Sequence, residues 1–235
     1  MTQPWISAST AETETRVRSF INSVYAWMFG GLLLTAFASA WVITSPAMQQ
    51  LIFGNRFMIF GLIIVELGLV FAMSAGLRRF SPATAASMFL VYSLLNGLTL
   101  SVVLLAYTQS SVVQAFITAA GMFGAMSVYG MLTHTDLSRM GSILFMALIG
   151  LVIASVVNMF WANSALYWII TYAGVLIFVG LTAYDTQKLK YIATATANDP
   201  RAAARLSVNG ALSLYLDFLN LFLMLLRIMG GNRRG

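Results

Sequence analysis

Cysteine is absent from this 235-residue sequence, and histidine occurs once. A disulfide framework is therefore excluded, and so is a zinc site built from several cysteine and histidine ligands. Charged residues are also scarce, at 9% of the chain, whereas hydrophobic residues make up 60%. Because soluble domains contain about 25% charged residues, the composition predicts an integral membrane protein. The net charge of +6 does not indicate nucleic-acid binding, since the basic residues lie between hydrophobic segments.

The hydrophobic segments are long enough to cross a bilayer, whose core of about 30 Å requires roughly 20 helical residues. Seven segments are predicted, at residues 20–44, 57–76, 82–107, 111–132, 141–161, 166–187 and 207–229. They form one seven-helix domain over residues 20–230, between a polar N-terminal segment at 1–19 and a short basic tail at 231–235. Ser81 and Pro82 predict a helix start, because serine caps helices and proline suits the first turn. Residues 188–206 are predicted to be a solvated linker.

Basic residues predict the orientation of these segments, because positive charges near the ends of a span resist translocation. With the N-terminus in the cytoplasm, the cytoplasmic segments hold nine basic residues, namely Arg16, Arg18, Arg78, Arg79, Arg139, Lys188, Lys190, Arg201 and Arg205. The N-terminus is therefore predicted to be cytoplasmic. Seven crossings place the C-terminus outside, unless the last segment re-enters the membrane instead of crossing it.

Three acidic residues lie inside the hydrophobic segments, namely Glu66, Asp185 and Asp217. Charged groups within a membrane cost roughly 2.5 to 3.5 kcal/mol each on insertion scales, so each is a candidate for function. Glu66 is far from either end of the second segment. It either hydrogen-bonds a neighbouring helix or belongs to an ion pathway.

A polar stripe runs along the seventh segment. Asn209, Ser213, Asp217 and Asn220 recur at helical spacing and therefore share one face. A polar face on an apolar helix must contact protein or water rather than lipid. The seventh segment is therefore predicted to be surrounded by the others.

Asp185 and Asp217 form one site only if their helices bring them together. This requires the sixth segment to continue through Lys190, or the seventh to begin later or tilt. Two neighbouring carboxylates in a low-dielectric site cannot both ionise cheaply, so the pair is expected to hold one proton near neutral pH. Such a pair suits a proton switch, a cation site or the acid and base of a hydrolase. For calcium, Asn209 and Asn220 would add oxygen ligands to the carboxylates.

Three functions fit these residues. The first is a channel or transporter for cations or protons, with the three acids as its path and arginines as counter-ions. The second is an intramembrane aspartyl protease, because "AYD" and "LYLD" resemble the catalytic motifs of those enzymes. However, the Gly-x-Gly that precedes their second aspartate and their later Pro-Ala-Leu segment are missing here. The third is a membrane regulator that binds a partner, such as a membrane protease, without transport.

Three motifs together resemble the transmembrane Bax inhibitor motif family. They are "GLTAYDTQKL" at 180–189, "LSLYLDFLNLFLMLLRIMG" at 212–230 and "IIVELGLVFAMS" at 63–74. The sequence is identified as a bacterial member, and the likeness extends from Val24 to Gly230. The resemblance implies an all-α membrane fold in which six helices surround a central seventh. It also implies location in the bacterial inner membrane.

The resemblance further implies a pH-sensitive calcium leak. The family's sensor pair, which would also bind the ion, falls on Asp185 and Asp217, and its buried glutamate falls on Glu66. The arginine that pairs with Asp185 is either Arg78 or Arg79. We expect a passive calcium pathway, not an enzyme, with protons as regulators, no cofactor and a polar lining from Asn209, Ser213 and Asn220. A non-transporting regulator is the alternative.

Overall fold

The computed structural model describes the backbone at residues 4–75 and 80–230, and the side chains of these residues from Glu12 onward apart from Arg56. These residues form eight α-helices and no β-sheet. The helices are α1 (Pro4–Thr44), α2 (Pro46–Phe53), α3 (Arg56–Ala75), α4 (Pro82–Ala106), α5 (Gln109–Leu132), α6 (Ser138–Trp161), α7 (Ser164–Ala195) and α8 (Pro200–Met229).

Seven of these helices are long and apolar enough to cross a membrane, and α2 is the exception. The prediction of an all-α protein with seven membrane spans is confirmed. The start of α4 is also confirmed, because the backbone N–H of Thr84 donates to Ser81 Oγ at 3.1 Å and Pro82 opens the helix. Helix α2 was not predicted. Ser45 caps it by accepting from the N–H of Met48 at 3.4 Å.

The prediction of a solvated linker at 188–206 is wrong. Helix α7 continues to Ala195 and α8 begins at Pro200, which leaves only 196–199 between them. Asp199 accounts for the early start of α8, since its Oδ1 accepts from the N–H of Ala202 at 3.0 Å. The alanines that follow are strong helix formers. As a result α7 extends past Lys190, which was one of the two alternative conditions for Asp185 to approach Asp217.

The polar N-terminal segment is not separate from the first span in secondary structure. Helix α1 has 41 residues and is therefore about 60 Å long, about twice the thickness of a bilayer core. Much of α1 must lie beyond the hydrocarbon region. The boundary predicted at residue 19 stays a prediction, and the predicted tail at 231–235 lies outside the described residues.

The chain divides into two compact units, each assembled from two separate stretches. Unit 1 contains the described residues of Met1–Leu105 and Leu189–Tyr215, and unit 2 those of Ala106–Lys188 and Leu216–Gly235. In unit 1, α1 meets α4 at Gly97, where a Cβ atom would lie 2.6 Å from Ala38 Cβ. The hydroxyl of Ser39 donates to the carbonyl oxygen of Gly97 at 2.8 Å. A small residue is needed at this contact.

Unit 2 is built on contacts of α7 with α5 and α6, and of α5 with α8. Gly130 of α5 lies against the backbone of Ala183 in α7, and Gly141 of α6 lies under the ring of Tyr184. The rings of Phe123 and Phe218 pack edge to face with centroids 5.6 Å apart, which joins α5 to α8.

Helix α8 has the largest buried share of the seven spans. Leu214, Tyr215, Leu221 and Leu226 are fully buried and lie on one broad side of the helix. The opposite side, which carries Asn209, Ser213 and Asn220, is partly exposed. The arrangement of six helices around α8 stays a prediction.

Candidate functional site

Helices α7 and α8 bring the two predicted aspartates to similar depths in unit 2. The helices run antiparallel, because only residues 196–199 connect them. They touch where a Cβ atom on Gly174 would lie 3.0 Å from Met224 Cγ. Asp217 precedes Met224 by seven residues, and Asp185 follows Gly174 by eleven. The two aspartates therefore differ by about four residues, or about 6 Å, along the helix axes.

The carboxyl groups of this pair interact with each other and with one cation. Asp217 is 5% exposed, whereas Asp185 is partly exposed. The Asp217 carboxyl interacts electrostatically with that of Asp185 and with the ammonium of Lys188. Lys188 was not predicted as part of the site. Its position three residues after Asp185, on the same face of α7, was the available signal.

Three buried polar atoms in unit 2 have no hydrogen-bond partner in the part of the chain that the structure describes. They are Asp217 Oδ2, Ser127 Oγ and Thr186 Oγ1. A buried polar group without a partner typically costs about 1 to 3 kcal/mol, and such groups are uncommon in folded proteins. These three atoms are therefore candidates for function.

Ser127 lies at nearly the same depth as Asp217. Helices α5 and α7 run parallel, since both are antiparallel to α6, and they meet at Gly130 and Ala183. Ser127 precedes Gly130 by three residues. It is therefore level with about residue 180 of α7, and Asp217 with about residue 181. Sequence reasoning missed Ser127, because a lone serine in a hydrophobic helix usually bonds its own backbone.

The end of α7 next to Asp185 is fixed by the loop between α5 and α6. Gln187 Oε1 accepts from the N–H of Leu137, and Gln187 Nε2 donates to the carbonyl oxygen of Thr135, both at 2.8 Å. In the same loop Asp136 Oδ1 accepts from the N–H of Ser138 at 2.9 Å. Hydrogen bonds from Ser138 lower the pKa of Asp136, so this exposed carboxyl stays ionised.

Glu66 belongs to unit 1, where it is 8% exposed. Its Oε1 accepts from the hydroxyl of Thr99 in α4 at 2.5 Å. The carboxyl is therefore buried in the middle of a span and bonded to a neighbouring helix. This contact is compatible with either prediction made for Glu66, because a structural acid and a pathway acid both need such a partner.

A polar cluster that sequence analysis missed lies on α4, α1 and α8 in unit 1. Tyr215 Oη is 2.6 Å from Thr35 Oγ1 and 3.3 Å from Asn96 Oδ1, and the Asn96 amide is 3.4 Å from Tyr92 Oη. Thr35 Oγ1 also donates to the carbonyl oxygen of Ser93 at 2.8 Å. The signal was the presence of amide and hydroxyl residues within the third hydrophobic segment.

The other residues predicted for the site are Asn220, Asn209, Ser213, Arg78 and Arg79. Asn220 Nδ2 donates to the carbonyl oxygen of Leu216 on its own helix at 2.9 Å. Asn209 lines a cavity of about 10 Å³ in unit 1. Ser213 is partly exposed. Arg78 and Arg79 lie outside the described residues, so the arginine that pairs with Asp185 stays a prediction.

Arg227 lies against tyrosines near the C-terminal end of α8. Its guanidinium carbon is 5.5 Å from the centroid of the Tyr167 ring. Burial raises the pKa of the nearby Tyr107, Tyr167 raises it further, and Arg227 opposes this shift. Helix α8 is 30 residues long without a break, which favours crossing over re-entry for the last span.

Within the described ranges, no three histidine, aspartate or glutamate side chains come together as a metal site. A cation at the aspartate pair would therefore need hydroxyl, amide or water oxygens as further ligands. The fold and these buried carboxyls define the chain as an α-helical integral membrane protein with acidic positions inside its spans.

Comparison with known proteins gives the family. The model of a family described as "Inhibitor of apoptosis-promoting Bax1" matches residues 17–234, and the chain belongs to this Bax inhibitor family. The resemblance inferred from the motifs is confirmed. The chain is 48% identical to the Escherichia coli K12 inner membrane protein YbhL, over 97% of both chains. It is 44% identical to a Borreliella burgdorferi protein over 91% of this chain and 92% of that protein. A membrane protein of Streptococcus pyogenes serotype M1 is 41% identical over 94% and 96% of the two chains.

Proposed function

We propose that this protein is a passive, pH-sensitive pathway for calcium ions across a bacterial inner membrane. Calcium is the transported ion, protons regulate the flux, and the protein needs neither a cofactor nor an enzymatic activity. The observation that carries the proposal is the buried Oδ2 atom of Asp217, which has no hydrogen-bond partner among the described residues and lies beside a second carboxyl.

The arrangement of the aspartate pair costs free energy. A carboxyl within a span is expensive, and an oxygen without a donor adds to that cost. A purely structural pair would have its oxygens satisfied by hydrogen bonds. An oxygen left open next to another carboxyl is suited to exchange a proton or a hard cation. Asp185 and Asp217 would be the charged ligands. Asn220 would add its amide oxygen, while its amide nitrogen donates to the carbonyl oxygen of Leu216.

Glu66 supplies a second acidic position, buried in another span and bonded to Thr99. Two separate acids within the spans favour a path over a single structural ion pair. Asn209 and Ser213 would add polar lining to this path. The proposal does not require Glu66 and the aspartates to bind one ion together.

Gating would follow from the charge of the aspartate pair. When the pair is ionised it holds nearby cations, Lys188 and, by resemblance to the family, Arg78 or Arg79. Protonation weakens this attraction and releases the arginine from the mouth of the path, so acidification is expected to raise calcium flux. Protons also compete with calcium for the carboxylates, which is the opposing effect. The N-terminus would be cytoplasmic, because nine basic residues then lie on that side.

The test is calcium flux into proteoliposomes that contain the purified full chain and a calcium indicator, measured as a function of pH. Three variants are compared with wild type: Asp217→Asn, Glu66→Gln and the exposed control Asp199→Asn. Asparagine caps a helix as well as aspartate does, so the control should leave both the flux and its pH response unchanged.

We expect flux above that of empty liposomes, a pH response that disappears in Asp217→Asn, and a changed rate in Glu66→Gln. A flux that falls steadily on acidification would overturn the gating direction while leaving the site in place. Folded protein that carries no calcium at any pH would contradict the proposal and favour a regulator that acts on a membrane partner.

A further inference from the structure

A cavity in unit 1 lies where the first half of α1 crosses the corner between α7 and α8. Its volume is about 440 Å³, which is within the range of small-molecule sites, about 300 to 1,000 Å³. Two hydrogen bonds hold its walls together. Arg16 Nη1 donates to the carbonyl oxygen of Ala197 at 2.9 Å, and the hydroxyl of Ser23 donates to Ser207 Oγ at 3.2 Å. Small residues such as Ala203 leave the space between these bonds open.

The polar atoms of this cavity are distributed unevenly. Ser23 donates to Ser207, Ser207 donates to the carbonyl oxygen of Ala204, and Thr196 donates to that of Ile192. These three hydroxyl hydrogens are therefore already used.

Donors remain at the end of the cavity where Arg16 lies. Arg16 makes one hydrogen bond within the described part of the chain, whereas a guanidinium has five N–H donors. Ser19, three residues further along α1, lies on the same wall. Arg16 forms no ion pair with a described acidic residue, so its charge is available to a ligand.

The donor end and the apolar end are separated along α1. Ser23 follows Arg16 by seven residues, or about 10 Å of helix. Phe20 and the alanines of α7 and α8 line the interval. Arg16 also lies just before the first predicted hydrophobic segment, so we expect it near the level where a bilayer changes from headgroups to acyl chains. A ligand that fits has an anionic group at one end and a hydrocarbon body at the other.

We propose that this cavity binds an anionic phospholipid, with its phosphate on Arg16 and Ser19 and its glycerol and upper acyl chain against Phe20 and Ala203. A guanidinium binds phosphate oxygens through two parallel hydrogen bonds, and Arg16 has donors left for this. The hydroxyl hydrogens of Ser23 and Ser207 are already used, so this end of the cavity offers the phosphate no O–H donor and Arg16 is the group that would bind it. This site is distinct from the acidic residues and does not depend on calcium transport.

The test is native mass spectrometry of the purified full chain from detergent that contains equal amounts of phosphatidylglycerol and phosphatidylcholine. Wild type should bind phosphatidylglycerol in preference. Arg16→Gln should lower that binding about tenfold or more, because a hydrogen bond to a charged group is lost. The matched control is Arg18→Gln, which removes the same charge from an exposed position on the same helix. The Arg18→Gln variant should still bind phosphatidylglycerol in preference to phosphatidylcholine.

A second variant tests the cavity itself. Ala204→Leu fills the space from an exposed position, so it should lower lipid binding without removing a charge. Thermal unfolding of each variant shows whether it is folded. Equal effects of Arg16→Gln and Arg18→Gln, or equal binding of the two lipids, would overturn the proposal. Displacement of the lipid by millimolar inorganic phosphate would also overturn it, because the site would then recognise a free anion.

Discussion

Gln187 holds the backbone of Leu137, a residue fifty positions earlier in the chain. Its Oε1 accepts from the N–H of Leu137 at 2.8 Å, while its Nε2 donates to the carbonyl oxygen of Thr135 at the same distance. Gln187 is 3% exposed and Leu137 is 4% exposed. Because water has little access to these groups, the loop depends on the side chain of Gln187 for these two hydrogen bonds.

Replacement of Gln187 by alanine is expected to lower the free energy of unfolding by about 2 to 4 kcal/mol. The variant loses two hydrogen bonds and leaves the N–H of Leu137 buried without an acceptor. Thermal unfolding in detergent measures the effect, with exposed Gln114→Ala as the control. Gln187→Glu should be intermediate, since a carboxylate accepts from Leu137 but cannot donate to Thr135. Equal stability of Gln187→Ala and Gln114→Ala would contradict this assignment.

The contact between α5 and α7 depends on a residue without a side chain. A Cβ atom at Gly130 would collide with the carbonyl oxygen of Ala183, whereas one at Gly124, on the same helix, would meet nothing within 4 Å. Gly130→Ala is therefore expected to destabilise the protein by about 1 to 3 kcal/mol. Gly124→Ala should be neutral or stabilising by up to about 1 kcal/mol, because alanine favours helix. Two variants with the same melting temperature would show that α5 and α7 do not meet at Gly130.

The number of membrane spans could be predicted from the sequence, but the ends of their helices could not. Hydrophobic length predicts seven helices, because a bilayer sets a minimum length. The predicted end of the sixth segment at residue 187 was wrong because the residues that follow were taken to be a solvated linker. Residues 191–195 and 200–206 are helical, since their alanines favour helix and Asp199 caps α8.

The acidic residues could be predicted individually, but not their surroundings. Asp185, Asp217 and Glu66 stand out because charge is rare within a span. Ser127 and Thr99 do not, because a hydroxyl in a helix usually bonds its own backbone, and only the packing of helices decides whether it meets a carboxyl. Tyr215 was hidden for a similar reason, since tyrosine is common in spans.

Because of Tyr107, we expect the stability of the protein to depend on pH in the alkaline range. Burial, and then Tyr167, raise the pKa of Tyr107 above the ordinary value, so the folded protein holds the phenol proton more tightly than the unfolded chain does. The contribution of Tyr107 to the free energy of unfolding is therefore fully present below its pKa in the unfolded chain. This contribution is lost as the pH rises through its pKa in the folded protein. Tyr107→Phe should make the loss of melting temperature between about pH 9 and 12 less steep, whereas exposed Tyr191→Phe should not. Identical slopes for wild type and Tyr107→Phe would contradict this account.

We expect the aspartate pair to lower the stability of the protein, although the proposed function requires it. Asp217 is buried, its Oδ2 has no partner in the described part of the chain, and the nearby Asp185 carboxyl adds repulsion. Asparagine keeps the shape and removes the charge. Asp217→Asn is therefore expected to raise the free energy of unfolding by about 1 to 3 kcal/mol at neutral pH, as often happens when a functional group is neutralised.

The control for this prediction is Asp199→Asn, since the exposed Asp199 carboxyl caps α8 and asparagine caps a helix equally well. Its melting temperature should match that of wild type. If Asp217→Asn instead unfolds at a lower temperature than both, the Asp217 carboxylate is a net stabilising group, held by Lys188 or another cation. The pair would then be a structural ion pair, and its carboxylate oxygens would not be open to an ion in a pathway.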